Sequence, residues 1–60
     1  MKRVELEMVL TRPARSTGAD RYEADVEWQA KPYVIYIPQA LSRATGSIAE
    51  KVLVTIAPME

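Results

Sequence analysis

An alternation of apolar and polar residues near the start of the chain limits most strongly what it can fold into. Val4, Leu6, Met8 and Leu10 are apolar, and mostly charged residues stand between them. Successive side chains of a β-strand point to opposite faces, so this spacing puts the apolar residues on one face. A helix would scatter them around its circumference. The pattern predicts a half-buried strand over residues 3–10.

A second alternating segment follows over residues 21–30, after a polar connection at 13–20. Pro13 removes a backbone donor in this connection, and Gly18 permits a positive φ. Two alternating segments joined by one polar loop are typical of an antiparallel hairpin. The break at Lys31-Pro32 ends the second strand, because proline cannot donate to a strand ladder.

The second half of the chain predicts a strand, a short helix and a last strand. Residues 33–37 are β-branched or aromatic and end at Pro38. Residues 38–46 have proline in the first turn and Gly46 where a helix would end. Residues 51–57 form the last strand before Pro58. The predicted fold class is α+β, mainly β: a small antiparallel sheet in the order β-β-β-α-β with one short helix, in a single domain over residues 1–60.

The inward positions of these segments predict the core. Because the period-two faces agree from one segment to the next, one apolar layer is expected. Its predicted members are Val4, Leu6, Met8, Leu10, Tyr22, Val26, Trp28, Ile35, Ile37, Leu41, Val52, Val54 and Ile56.

Two of the predicted strands are apolar on both faces. Val34 and Tyr36 lie opposite the predicted core face of the third strand, and Leu53 does so in the last strand. A two-turn helix covers part of one side only, so these residues are the predicted interface of a homodimer. A different protein partner stays open as an alternative.

Composition argues against an enzyme. The chain has no His and no Cys, which removes the commonest general base, metal ligand and thiol nucleophile. Gly18 and Gly46 lie too far apart for a glycine-rich phosphate loop. The acidic residues lack the spacing of a calcium loop. We therefore expect no catalytic residues, no metal and no cofactor. If the first two strands pair, their outward faces bring the acidic residues near one another. These residues are Glu5, Glu7, Glu23, Asp25 and Glu27.

Charge and hydropathy narrow the partners. Eight Lys plus Arg against eight Asp plus Glu give a formal net charge of zero, which predicts no strong bulk attraction to nucleic acid. A base-stacking platform normally lies in a positively charged groove, and this chain has no net charge, so the aromatic residues are interpreted as core residues. Tyr36 is the exception, because it points away from the core. No apolar segment approaches the roughly 20 residues of a membrane span. A cytoplasmic location without a membrane partner is expected.

Two resemblances to known families add an alternative. Ile37-Pro38, Leu41, Arg43, Gly46 and the final Val52-Leu53-Val54 resemble the swapped-hairpin AbrB-like DNA-binding family, although Ala49-Glu50 stands where that family has a Gly-Asp turn. The whole chain is similar to a group of short bacterial proteins of unknown function. That second resemblance rests on Arg21-Tyr22-Glu23, Tyr36-Ile37 with Leu41, and Val54-Thr55-Ile56.

The sequence thus predicts a non-enzymatic small β-rich binding or assembly module whose ligand it does not specify. The alternative, implied by the first resemblance, is a DNA-binding transcriptional regulator or antitoxin of the swapped-hairpin type. The arginines that would then contact phosphates are Arg12, Arg15, Arg21 and Arg43.

Overall fold

The computed structural model describes residues 2–59 as one curled antiparallel sheet of four strands with one short helix. The strands lie in the order β3-β2-β1-β4, in which three hairpin-connected strands are followed by one that returns beside the first. The predicted fold class is confirmed. Met1 and Glu60 of the predicted domain lie outside the described residues. The elements are β1 Val4–Arg12, β2 Ala19–Ala24, β3 Tyr33–Pro38, α1 Gln39–Ser42 and β4 Lys51–Ile56.

Strand β1 joins two staggered halves of the sheet. Its second half pairs with β2, where Leu10 lies opposite Tyr22. Its first half pairs with β4, where Leu6 lies opposite Val54. Strand β3 extends the first pairing, because Tyr22 also lies opposite Ile35. The two halves therefore depend on one strand for their alignment.

Register and alternation divide the sheet into two faces. The inner face is the one on which α1 lies, and within it Met8 and Tyr22 are completely buried. The Tyr22 hydroxyl donates to the Ala49 carbonyl oxygen over 2.6 Å, which anchors the chain that crosses from α1 to β4. The other large apolar residues of this face are only half-buried: Val4, Leu6, Leu10, Tyr33, Ile35, Ile37, Val52, Val54 and Ile56.

The predicted length of the second strand is wrong, and so is the burial of Trp28. Strand β2 ends at Ala24, since Ala24 already lies opposite Tyr33 and the chain must turn between them. Residues 25–32 form this connection. The Trp28 side chain is 54% exposed, and its ring meets the Tyr33 ring edge-on with centroids 5.7 Å apart. The alternating sequence pattern continues beyond Ala24, but β3 begins at Tyr33 and offers no pairing residue there. The pattern alone therefore overestimates the length of β2.

The helix is shorter than predicted, and the predicted burial of Leu41 is wrong. Helix α1 has four residues and turns Ser42 towards the sheet, so Leu41 faces outward and is 70% exposed. The predicted helix end at Gly46 is therefore wrong: Gly46 lies in the turn that follows the helix, where its φ of +96° belongs to the left-handed region that favours glycine. No helix in the described part of the chain is long and apolar enough to cross a membrane.

Truncating Met8 and Trp28 tests this revised core. Met8→Ala removes a completely buried side chain and should lower the free energy of unfolding by about 2–5 kcal/mol. Trp28→Ala removes an exposed ring and one edge-on aromatic contact, which corresponds to about 1 kcal/mol. Urea unfolding followed by circular dichroism measures both. A larger loss for Trp28→Ala than for Met8→Ala would restore the core predicted from the sequence.

Candidate functional site

The inner face is covered at one end only. Helix α1 packs mainly on β3 and β2. The chain after it is tied to the sheet through the Leu10 amide, which donates to the Glu50 carbonyl oxygen over 2.8 Å. Beyond these contacts lies a group of half-buried apolar residues on β1 and β4. We call it the inner apolar patch; it consists of Val4, Leu6, Val54 and Ile56.

The dimensions of the molecule reflect this incomplete cover. Its accessible surface is 4963 Å², whereas a folded chain of 6.8 kDa is expected to expose about 4,000 Å². Its radius of gyration is 12.5 Å, against about 10.4 Å for a compact chain of this length. The whole chain thus exposes about 1,000 Å² more than is expected for its mass. That excess is comparable to one side of a standard protein interface, about 800 Å².

The residues predicted as the interface lie on the outer face, at opposite edges of the sheet. Val34 and Tyr36 belong to edge strand β3, and Leu53 belongs to edge strand β4. Tyr36 and Leu53 are 65% and 64% exposed. Two charged residues of β2 lie opposite the β3 pair: Arg21 opposite Tyr36, and Glu23 opposite Val34. The structure does not bring the three apolar residues together into one patch.

Three of the four candidate phosphate-binding arginines line one cleft. Arg12, Arg15 and Arg21 lie around it at the β1–β2 hairpin end of the outer face, and Tyr36 forms part of its wall. Arg43 lies on the inner side of the sheet, where it pairs with Asp20. The four arginines therefore do not form the single surface that the DNA-binding alternative requires.

A β-bulge places Arg12 in this cleft. Leu10 lies opposite Tyr22 and Arg12 lies opposite Arg21, so β1 has one extra residue, Thr11, between these pairs. Without it, Arg12 would keep the alternation of Leu10 and point to the apolar inner face. The bulge reverses that alternation and sets two arginines side by side on the outer face.

A buried carboxylate organises the opposite, inner side of the same hairpin end. Asp20 is completely buried. It accepts hydrogen bonds from the Ser42 hydroxyl over 2.5 Å and from the Ala14 amide over 2.8 Å. Arg43 donates to both carboxylate oxygens, with its Nη2 2.9 Å from Oδ1 and its Nε 3.2 Å from Oδ2. This group, the Asp20 cluster, consists of Ala14, Asp20, Ser42 and Arg43.

These donors keep Asp20 ionised. The Arg43 hydrogen bonds contribute most, followed by those of Ser42 and Ala14, and together they hold the pKa of Asp20 far below its usual value of 3.8. They outweigh burial, which acts in the opposite direction. The same pairing raises the pKa of Arg43. Through these hydrogen bonds, the carboxylate on β2 connects the hairpin loop to the end of α1.

Sequence reasoning missed the Asp20 cluster by assigning Asp20 to the loop. The signal was its position two residues before Tyr22, which gives both side chains the same face of a strand. An aspartate on an apolar face needs donors, and Ser42 and Arg43 stand together at the predicted helix.

The acidic residues gather at the other end of the outer face. Glu7, Glu23 and Asp25 border a shallow depression of about 270 Å³ beside Pro32. Within residues 2–59, the acidic residues do not form a group of three or more that could hold a metal ion. The outer face is therefore basic at the hairpin end and acidic at the other.

Comparison of the chain with protein-family models, with curated proteins and with solved structures gave no match. Both resemblances noted in the sequence thus stay predictions.

The pH dependence of stability tests the Asp20 cluster. Because the folded-state pKa of Asp20 is depressed, its stabilisation is complete above the unfolded-state pKa near 3.8 and is lost progressively as the pH falls below it. Asp20→Asn removes the ionisable group. The difference in unfolding free energy between parent and variant should be large at neutral pH and should narrow below about pH 4. Urea titrations across this range measure it.

Asp25→Asn is the matched control. Asp25 is an exposed carboxylate with no hydrogen bond or ion pair to the residues that the structure describes. Its variant should keep a small and constant difference from the parent. If Asp20→Asn behaved in the same way, the stabilising role of the ionised Asp20 would be refuted.

Proposed function

We propose that this protein is a non-enzymatic binding or assembly module that works as a homodimer through its inner face. One observation carries the proposal: the inner apolar patch lies beyond the strands on which α1 packs, and its residues are only half-buried. The inner apolar patch consists of aliphatic side chains on paired strands, with Val4 opposite Ile56 and Leu6 opposite Val54. Leaving such a surface in water is unfavourable, whereas packing it against a second apolar surface recovers about 25 cal/mol per Å².

A second copy of the chain is the occupant that fits best. The excess exposed area, about 1,000 Å², is close to what each partner of a stable complex buries. A twofold axis through the patch would pair it with itself, which is the usual arrangement in homodimers. The formal net charge is zero, so two copies approach without overall repulsion. Dimerisation also gives a short chain one larger shared core.

The polar chemistry of the chain supports a non-enzymatic role. The buried Ser42 hydroxyl donates to the Asp20 carboxylate, and the chain has no His that would activate it as a nucleophile. The Asp20 oxygens are occupied by donors that hold the fold together. The proposal keeps the cytoplasmic location predicted from the sequence.

Oligomeric state tests the proposal. Light scattering coupled to size exclusion should give the mass of two chains at micromolar concentration. Because dimer formation stabilises the folded state, the melting temperature should rise by several degrees over about a hundredfold increase in protein concentration. A mass of one chain, with a melting temperature independent of concentration, would refute the homodimer without any variant.

Adjacent residues of β4 locate the interface. Val54→Glu puts a charge into the inner apolar patch and should weaken the dimer by about a hundredfold or more. Leu53→Glu puts the same charge on the outer face and should leave the dimer intact. If Leu53→Glu and Tyr36→Glu dissociate the dimer and Val54→Glu does not, the outer-face interface predicted from the sequence is correct. Circular dichroism confirms that each variant is folded.

A further inference from the structure

The cleft lined by arginines on the outer face takes no part in the proposed assembly. We call it the arginine cleft. Its volume is about 560 Å³, within the range of small-ligand sites. We define it by Arg12, Arg15, Arg21 and Tyr36, with Pro13 and Thr17 of the hairpin loop along one side. It lies on the face opposite the inner apolar patch, so dimerisation through that patch leaves it open.

The arginines of the cleft are short of negative charge. Among residues 2–59, neither Arg12 nor Arg15 forms an ion pair. Arg12 lies directly opposite Arg21 across the bulge, and like charges in such a position destabilise a sheet. A bound anion would relieve this repulsion. Guanidinium groups are suited to phosphate, whose oxygens accept two parallel hydrogen bonds from one arginine.

One carboxylate offsets part of this charge. Glu23 Oε2 lies 3.2 Å from Arg21 Nε, and it also accepts a hydrogen bond from the Thr11 hydroxyl over 2.7 Å. The buried Arg21 Nε–H has no hydrogen-bond acceptor of suitable geometry in the described part of the chain. Three guanidinium groups facing one carboxylate still leave the cleft positive.

The aromatic wall adds a second kind of contact. Tyr36 is 65% exposed and lies opposite Arg21 on the neighbouring strand. An exposed aromatic ring beside cationic groups is the combination that proteins use to bind nucleotides without reading their sequence: the base stacks and the phosphate is neutralised. An inorganic anion would leave this ring unused.

We propose that the arginine cleft binds a nucleoside phosphate, with the phosphate at Arg12, Arg15 and Arg21 and the base stacked on Tyr36. The source of the nucleotide is either a free nucleotide or a single-stranded nucleic acid. The base must be unpaired to stack on Tyr36, because the bases of a duplex are stacked on one another and cannot be reached from outside.

Fluorescence anisotropy of a 5′-labelled decathymidylate, with the full chain as titrant, tests the cleft. The labelled strand should bind at low salt. Because the three arginines share one phosphate, the strand's affinity should fall only about threefold between 50 and 200 mM salt. Unlabelled thymidine monophosphate should displace it at much lower concentration than inorganic phosphate does. A strand that binds about tenfold tighter than the mononucleotide identifies single-stranded nucleic acid as the source, and equal affinities identify the free nucleotide.

Exposed side chains allow matched variants. Arg15→Gln and Tyr36→Leu should each weaken binding about tenfold, through loss of one phosphate contact and of the stacking ring. Arg3→Gln removes the same charge from an exposed residue that pairs with Glu5, away from the cleft, and should leave the affinity within about twofold. Thermal unfolding should show that all three variants fold like the parent.

Three results would overturn the proposal. The first is no binding of the strand or the mononucleotide at low salt. The second is an equal loss in Arg3→Gln and Arg15→Gln, which would indicate non-specific charge attraction. The third is equal binding by a competitor that cannot use the Tyr36 ring, whether a duplex of the same length compared with the single strand or inorganic phosphate compared with the mononucleotide. Loss of the dimer in the preceding experiments would leave these outcomes unchanged, since the two sites lie on opposite faces.

Discussion

The ion pair between the buried Asp20 and the half-buried Arg43 is the interaction on which the rest of the fold depends. Helix α1 has four residues, too few to persist without tertiary contacts. Its end is held because Ser42 and Arg43 both donate to one carboxylate on β2. Arg43 also donates to the carbonyl oxygen of Ala14, so the hairpin loop joins the same network. From this fixed point the chain crosses the inner face and enters β4 beside β1.

Because one short helix and the segment after it form the only cover in the described residues, part of the apolar inner face is incompletely buried. The helix and the segment after it cover the hairpin end and the middle of the inner face, where Tyr22 of β2 and Met8, opposite Val52 of β4, are completely buried. Further along the β1–β4 pairing, the four residues of the inner apolar patch are only half-buried. A sheet of alternating residues needs cover on its apolar face, and this chain has no second helix in its described residues. Assembly is the physical consequence that we propose for this imbalance.

Net charge proved a poor guide to local electrostatics. The balance of eight basic and eight acidic residues argues against nucleic acid when it is treated as one number. The folded chain separates the two signs along the outer face, with Arg12, Arg15 and Arg21 at the hairpin end and Glu7 and Asp25 at the other. Salt screens charge interactions beyond about 10 Å. A ligand at one end of the face is therefore attracted or repelled by the charges at that end and not by the net charge of the chain.

Local alternation and the positions of the prolines were enough to predict that four strands exist, that the first two form a hairpin and that the third strand ends at Pro38, because each follows from the geometry of neighbouring residues. It also indicated that a chain with one short helix would expose apolar surface. Pairing between distant strands decided the rest. The register of Ala24 with Tyr33 ended β2 before Trp28, and the bulge at Thr11 moved Arg12 to the outer face. The fold also placed Asp20 where Ser42 and Arg43 meet it. Such contacts join residues far apart in sequence, so periodicity along the chain contains no record of them.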